Sequence, residues 1–165
     1  MEPTRVTHRI VVLGIGNILN SDEGVGVHAV RRMQADAPPM QGIEVLDGGT
    51  LGLSLLPWVE AATHLLVLDA VDAKASPGDV VELSREQIPL FTGLKLSQHQ
   101  VTFQEVLCMA LVRGKLPDHI HLVGIQPRSM AIGIDLSPVV LLALPQMIDR
   151  AWSIIRRWCL PQCIG

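Results

Sequence analysis

The sequence contains no tyrosine, and it has only two phenylalanines, three tryptophans and three cysteines among 165 residues. Aliphatic side chains must therefore supply most of the 48% hydrophobic fraction, which is typical of buried parallel strands covered by helices. Three cysteines are too few for a disulfide framework, so a reducing, cytoplasmic location is expected.

Charge is also scarce, because 18% of the residues are charged, the formal net charge is -3 and no block of like charges occurs. This composition argues against nucleic-acid binding as the primary activity. No apolar stretch reaches the roughly 18 uninterrupted residues that a membrane span requires, and direct membrane insertion is not expected. The length fits one domain over residues 1–165, with a core at about residues 9–158 and a tail at 159–165.

Apolar runs alternate along the chain with amphipathic stretches, and this pattern predicts both strands and helices. Strands are predicted at residues 9–13, 43–46, 64–68, 79–83 and 119–125, and helices at residues 23–33, 53–61, 101–113 and 137–158. Residues 84–98 are predicted to form a long loop with a short helical piece. The alternation predicts a single α/β domain: a twisted, mainly parallel sheet of about five strands with helices on both faces.

Acidic side chains follow the first three predicted strands. Asp22 and Glu23 follow the first strand, Asp47 the second and Asp69 the third. Because the carboxyl ends of parallel strands meet at one edge of a sheet, these carboxylates are expected to gather in one crevice. Like charges in a crevice repel each other unless a cation or a proton offsets them. Taken singly, Glu23 is also consistent with a helix N-terminal acid and Asp69 with a turn cap.

His99 differs from the other five histidines, which lie in or beside predicted strands or in the first predicted helix. It belongs to the segment S-Q-H-Q, at the end of the predicted loop and just before a predicted helix. One imidazole together with carboxylates suits zinc, nickel or manganese and leaves positions open for a substrate. A single histidine at such a position is more often an N-terminal capping or surface residue than a metal ligand.

The turn Gly14-Ile15-Gly16-Asn17 follows a predicted strand, as the glycines of a dinucleotide site do. Residue 19, the third position of that fingerprint, is leucine, and acidic residues stand where a pyrophosphate needs donors. Nucleotide binding therefore has little support. A nucleophile elbow of the G-x-S-x-G type is absent from the sequence.

Five motifs occur in order along the chain: GIGNILNSDEGVGV (14–27), DGGTLG (47–52), HLLVLDA (64–70), SQHQ (97–100) and LVGIQP (122–127). Each motif is weak alone, but the combination closely resembles the [NiFe]-hydrogenase maturation endopeptidases. The resemblance spans roughly residues 9–150. Residues 113–127 are most similar to the branch that serves membrane-bound uptake hydrogenases.

The resemblance implies a cytoplasmic endopeptidase that removes the C-terminal extension from the precursor of the [NiFe]-hydrogenase large subunit after nickel insertion. The metal-contacting and catalytic residues of that family correspond to Glu23, Asp69 and His99. Nickel carried by the precursor is then the recognition signal, and another divalent metal is expected to occupy the site in vitro. Asp22 and Asp47 are candidate general bases, and the D-G-G-T turn is expected to shape substrate contact.

Two other hypotheses stay open at this point. A metal-dependent hydrolase of small molecules would turn over a generic ester or amide without a protein partner. A non-catalytic metal or nucleotide sensor would bind its ligand without any change in the mass of a hydrogenase precursor.

Overall fold

Five strands form one sheet in the computed structural model, which describes residues 8–88 and 98–160 and, in the second range, side chains from Phe103 onward. The strands are β1 (Ile10–Ile15), β2 (Ile43–Gly49), β3 (His64–Ala70), β4 (Val80–Ser84) and β5 (His119–Ile125). Their order across the sheet is β2-β1-β3-β5-β4, and only β4 pairs antiparallel to its neighbour. The predicted mainly parallel α/β sheet is confirmed.

Helices cover both faces of the sheet, as predicted. They are α1 (Val25–Asp36), α2 (Leu56–Ala61), α3 (Gln98–Val112) and α4 (Pro138–Cys159). The alternation of side chains along β1 explains the two layers. Ile10 and Val12 pack with the buried residues of α1 and α4, whereas Val11 and Leu13 pack with those of α2 and α3.

Helix α4 has a stripe of buried side chains at helical spacing: Val140, Ala143, Leu144, Met147, Ile148, Ala151, Ile154 and Ile155. Its length and apolar composition are sufficient to cross a membrane, but this stripe packs on the sheet as in the core helix of a globular domain. Pro145 lies on the exposed face, where water can reach the carbonyl of Leu141 that proline leaves without a helical donor.

The first three strands each extend at least two residues further toward their carboxyl ends than predicted. Gly14 pairs with Asp47, and Ile15 pairs with Gly49 across a bulge, where Gly49 has a φ of +42° that glycine adopts readily. The prediction of a polar turn beginning at Asp47 is therefore wrong for its first three residues. Asp69 likewise lies inside β3, paired with Gly124, rather than after the strand.

The predicted starts of the helices also shift. Short 3-10 segments, Ser21–Gly24 and Gly52–Leu55, precede α1 and α2 in place of the first predicted helical turns. Helix α3 begins at Gln98, which places His99 within its first turn and corrects its expected position before the helix. Of the predicted loop, residues 85–87 form the expected short helical piece, while residues 89–97 lie outside the described part of the chain.

Helix α1 lies against the sheet at a distance that only glycine permits. A Cβ atom on Gly26 would lie 2.0 Å from the carbonyl oxygen of Leu68, and one on Gly14 would lie 2.3 Å from the carbonyl oxygen of Gly26. The start of α1 therefore rests directly on the carboxyl ends of β1 and β3. This contact positions the 3-10 segment Ser21–Gly24 over the end of the sheet.

The opposite edge of the sheet holds a group of aromatic rings. The His64 ring stacks on His119 with centroids 4.3 Å apart, and the rings of His8 and Trp158 each lie 5.0 Å from it. His64 is buried, with 6% of its surface exposed. Burial, followed by the neighbouring imidazoles of His119 and His8, lowers the pKa of His64 from 6.5 to about 4.

This lowered pKa makes His64 a source of acid sensitivity. The unfolded chain takes up a proton at this residue as the pH falls through 6.5, while the folded chain resists until about 4. Stability that is present above pH 6.5 is thus lost on acidification, by roughly 2 kcal/mol between about pH 7.5 and about pH 5. We expect urea unfolding at these two pH values to show that the His64→Gln variant loses roughly 2 kcal/mol less stability than the wild type. The wild type and the variant have the same carboxylates. If their free energies of unfolding had the same pH dependence, His64 would not be the source of the acid sensitivity.

Candidate active site

Three buried carboxylates lie at the carboxyl edge of the parallel strands. Asp22, Glu23 and Asp69 expose 0%, 2% and 1% of their surface, respectively. Asp22 and Glu23 belong to the 3-10 segment before α1, and Asp69 is the penultimate residue of β3. Three acidic groups seldom lie so deep in a small domain unless hydrogen bonds or a cation compensate their burial.

Gly16 lies between Glu23 and Asp69. Its φ of +125° belongs to a region that side chains rarely adopt. A Cβ atom at this position would lie 1.9 Å from the carbonyl oxygen of Glu23 and 3.5 Å from Oδ1 of Asp69. Glycine is therefore required here for steric and conformational reasons, and its absent side chain lets the Glu23 turn approach the end of β3.

The Asp69 side chain belongs to the face of the sheet that α3 covers. It lines a cavity of about 10 Å³ together with Val67, Ile88, Phe103, Gln104, Leu107 and Leu122. The backbone N–H of Ala70 donates a hydrogen bond of 2.7 Å to Oδ1 of Asp69. A carboxylate among apolar side chains at a strand end is the kind of group that metal sites and hydrolytic sites use.

Helix α3 brings the third predicted site residue to the same edge. The helix ends at Val112, close to the start of β5, so its first turn lies at the carboxyl edge of the sheet. His99 is in that first turn, four residues before Phe103, which lines the cavity beside Asp69. The His99 side chain lies outside the described residues. Among the side chains that are described, no group of three His, Cys, Asp or Glu residues has a metal-binding arrangement.

The carboxylate of Asp22 is saturated by hydrogen bonds from the β5–α4 connection. Its Oδ2 accepts bonds from the backbone N–H groups of Arg128 and Ser129, at 2.9 and 3.0 Å, and from the Ser137 hydroxyl at 2.8 Å. Its Oδ1 accepts the Ser137 backbone N–H at 2.7 Å. Both oxygens are committed inside the fold, which favours a positioning role over the predicted role of general base. Ser137 consequently precedes α4 without a side-chain capping bond.

Gln126, which follows β5 directly and belongs to the LVGIQP motif, is a second positioning residue. Its Oε1 accepts bonds from the backbone N–H groups of Ala73 and Ala75, at 2.9 and 3.2 Å. Its side-chain nitrogen donates a bond of 3.4 Å to Asp72. The β3–β4 connection is thereby tied to the end of β5, beside the strand end that carries Asp69.

Asp47, the other candidate base, has a different environment. It pairs with Gly14 just before the bulge of β2 and retains 34% side-chain exposure. The Arg31 Nε donates a hydrogen bond of 3.0 Å to its Oδ2, and Nη2 of the same guanidinium forms an ion pair with this oxygen at 2.8 Å. Of the two candidate bases, Asp47 is therefore the one that solvent and a substrate can reach.

Comparison with known proteins connects this geometry to one family. The model of the HycI family, described as hydrogenase maturation protease, matches residues 27–154. The hydrogenase expression/formation protein HupD of Bradyrhizobium diazoefficiens is 40% identical over 92% of this chain and 80% of its own length. The hydrogenase 2 maturation protease of Escherichia coli is 35% identical over 90% of this chain and 91% of its own length.

Solved structures agree with the sequence comparison. The hydrogenase maturating endopeptidase HybD from Escherichia coli superposes with a TM-score of 0.85 at 33% identity, covering 92% of this chain and 94% of that one. HybD from Thermococcus kodakarensis gives a TM-score of 0.72 at 26% identity, over 88% and 98%. The chain belongs to the hydrogenase maturation protease family, and it is an enzyme of the endopeptidase class.

The role of Asp22 generates a prediction about stability. Asp22→Asn replaces one carboxylate oxygen by an NH₂ group. Because NH₂ is itself a donor, it cannot accept the hydrogen bonds that this oxygen accepted. Loss of these charge-assisted bonds should lower the free energy of unfolding by at least about 2 kcal/mol and increase hydrogen exchange over residues 128–137.

Asp36→Asn is the matched control, because Asp36 has a side chain that is 64% exposed and pairs with Arg32 at 3.5 Å. This control should change stability by less than about 0.5 kcal/mol. Equal effects of the two substitutions on unfolding would contradict the assignment of Asp22.

Proposed function

We propose that this enzyme acts in the cytoplasm on the nickel-loaded precursor of a [NiFe]-hydrogenase large subunit and removes its C-terminal extension. The observation that carries the proposal is the burial of Glu23 and Asp69 on either side of Gly16, at the edge where the first turn of α3 contains His99. Family membership supplies the reaction class, and this site supplies the groups with which nickel in the precursor can be recognised.

Glu23, Asp69 and His99 are the proposed nickel contacts. Two carboxylates and one imidazole form a donor set that suits borderline divalent ions, including nickel. The metal is cargo of the precursor in this proposal and not a resident cofactor, although zinc or another divalent ion could occupy the same donors in vitro. The apolar wall of Val67, Phe103 and Leu122 beside Asp69 strengthens electrostatic interaction with such an ion.

Peptide hydrolysis at this site requires a water molecule, a base and an acid. We infer that Asp47 accepts a proton as water attacks the scissile carbonyl, and that this proton passes to the leaving amine when the C–N bond breaks. Nickel held in the precursor would supply polarisation of the carbonyl. Asp22 holds the turn that carries Glu23 in place and takes no part in the proton transfer.

The substrate is proposed to be an uptake-type hydrogenase. Several relatives that are 37 to 40% identical to the chain carry the names HupD or HoxM, and they come from Bradyrhizobium diazoefficiens, Rhodobacter capsulatus, Rhizobium leguminosarum and Cupriavidus necator. The resemblance of segment 113–127 to this branch supports the same substrate.

Nickel dependence is tested with purified precursor in nickel-loaded and nickel-free forms. We expect the loaded form to lose its C-terminal segment on incubation with the enzyme, because the carboxylates and the imidazole need the metal to hold the substrate. The nickel-free form should keep its full mass in mass spectrometry. Equal cleavage of the two forms would contradict nickel recognition, and cleavage of neither would contradict the proposed substrate.

The ligand assignment is tested with His99→Ala and Glu23→Gln. Removal of one metal-contacting group should reduce the rate of precursor processing on the order of 100-fold or more, because several kcal/mol of metal-dependent stabilisation are lost. His119→Ala, at the opposite edge of the sheet, is the matched histidine control and should process at the wild-type rate. Wild-type processing by His99→Ala would show that another imidazole contacts the metal.

A further inference from the structure

Large apolar side chains project into solvent from the loops beside the site. Ile132 is 94% exposed, Ile134 70%, Leu19 57% and Met130 38%. These four residues, which we name the apolar rim, lie in the connections that follow β5 and β1, at the carboxyl edge of the sheet. Exposed aliphatic residues grouped in this way mark interaction surfaces more often than isolated ones do.

Hydrogen bonds join the two loops of the apolar rim. The Gly133 N–H donates to the carbonyl of Leu19, and the Ser21 N–H donates to the carbonyl of Gly133, each at 2.8 Å. The Ser21 hydroxyl also donates to the carbonyl of Ala131 at 2.8 Å. Together with the four bonds to Asp22, these contacts hold the rim in one backbone conformation before any partner binds.

The rim adjoins the candidate active site through the chain itself. Leu19 lies four residues before Glu23, and the segment Ser21–Gly24 bonds to the rim on one side and carries Glu23 on the other. A partner that covers the rim is therefore brought beside the proposed nickel contacts.

We propose that the apolar rim is the surface on which the folded body of the hydrogenase precursor docks. This inference rests on the proposed function, which makes a nickel-loaded protein the substrate. An extended peptide would need a groove or an unpaired strand edge, whereas isoleucines that are 94% and 70% exposed on an anchored loop form a protrusion. A protrusion complements a recess in a folded partner, and rigid aliphatic groups can anchor such a contact at low entropic cost.

Flanking polar groups complete the character of the surface. Arg128 and Asp135 are exposed on either side of the isoleucines, so an apolar centre has charged residues of both signs beside it. Protein interfaces likewise have an apolar centre that is surrounded by polar residues. It favours a partner with an apolar recess over a partner of one strong charge.

The test uses the double substitution Ile132→Asp and Ile134→Asp in the full chain. Val112→Asp is the matched control, because Val112 is 78% exposed at the end of α3, toward the opposite edge of the sheet. Purified nickel-loaded precursor is the probe, with binding measured by biolayer interferometry and processing by mass spectrometry. We expect the double variant to bind at least about tenfold more weakly, with KM raised and kcat retained, while the control behaves as wild type.

Folding is monitored by urea unfolding, and Ile132→Ser and Ile134→Ser serve as milder variants that should weaken binding in the same direction. Unchanged KM in the rim variants, with normal processing by the wild type, would overturn the docking surface and leave the proposed function standing. Absence of processing by the wild type would instead contradict the proposed function. If a synthetic peptide of the C-terminal extension bound the wild type but not the double variant, the rim would bind the extension, and docking of the folded body of the precursor would be contradicted. A wild-type enzyme that is dimeric, together with a double variant that is monomeric, would also overturn the precursor as the occupant of the rim.

Discussion

The buried charge of Asp22 is the constraint on which the functional edge of this protein depends. A fully buried carboxylate is tolerated only when its oxygens are hydrogen-bonded, and here two backbone N–H groups come from residues 128–129 and two donors from Ser137. Satisfying Asp22 therefore fixes the β5–α4 connection against the segment Ser21–Gly24. The start of α4, the turn that carries Glu23 and the apolar rim all take their positions from this one group.

Close contacts between backbone segments also position the residues at this edge of the sheet. Gly26 allows α1 to rest on the end of β3, and Gly16 allows the Glu23 turn to reach the carboxylate of Asp69. Glu23 and Asp69 are thus placed by close contacts between backbone segments at the carboxyl edge of the sheet. The Gln126 amide adds the same kind of support to the connection after β3. Such support on rigid elements is what holds reacting groups to within the small tolerances that catalysis needs.

Most of the fold could be predicted from the sequence because buried strands and amphipathic helices have distinct apolar periods. The strand at His119–Ile125 matches its prediction at both ends, and the start of α3 differs because the polar Gln98-His99-Gln100 carries no apolar period. Glu23 and Asp69 could be selected because they stand near the carboxyl ends of apolar runs that predict buried strands. The bonds of Asp22 to residues more than 100 positions away, and those of Gln126 to Ala73 and Ala75, depend on tertiary contacts that no local pattern encodes.

The histidine cluster around His64 has a consequence for enzymology. Its acid sensitivity resides in the scaffold, at the edge of the sheet opposite to Glu23 and Asp69. On its acidic side, a pH–rate profile of this enzyme reports titration of groups in contact with the substrate and, where the remaining free energy of unfolding is small, the fall in stability linked to His64. The second process depends on enzyme stability and can be separated by substitution at His64, which leaves the reacting groups untouched. If substitution at His64 shifts the acidic side of the pH–rate profile, that side reflects the stability of the fold. If the profile is unchanged, its acidic side reflects the groups that take part in the reaction.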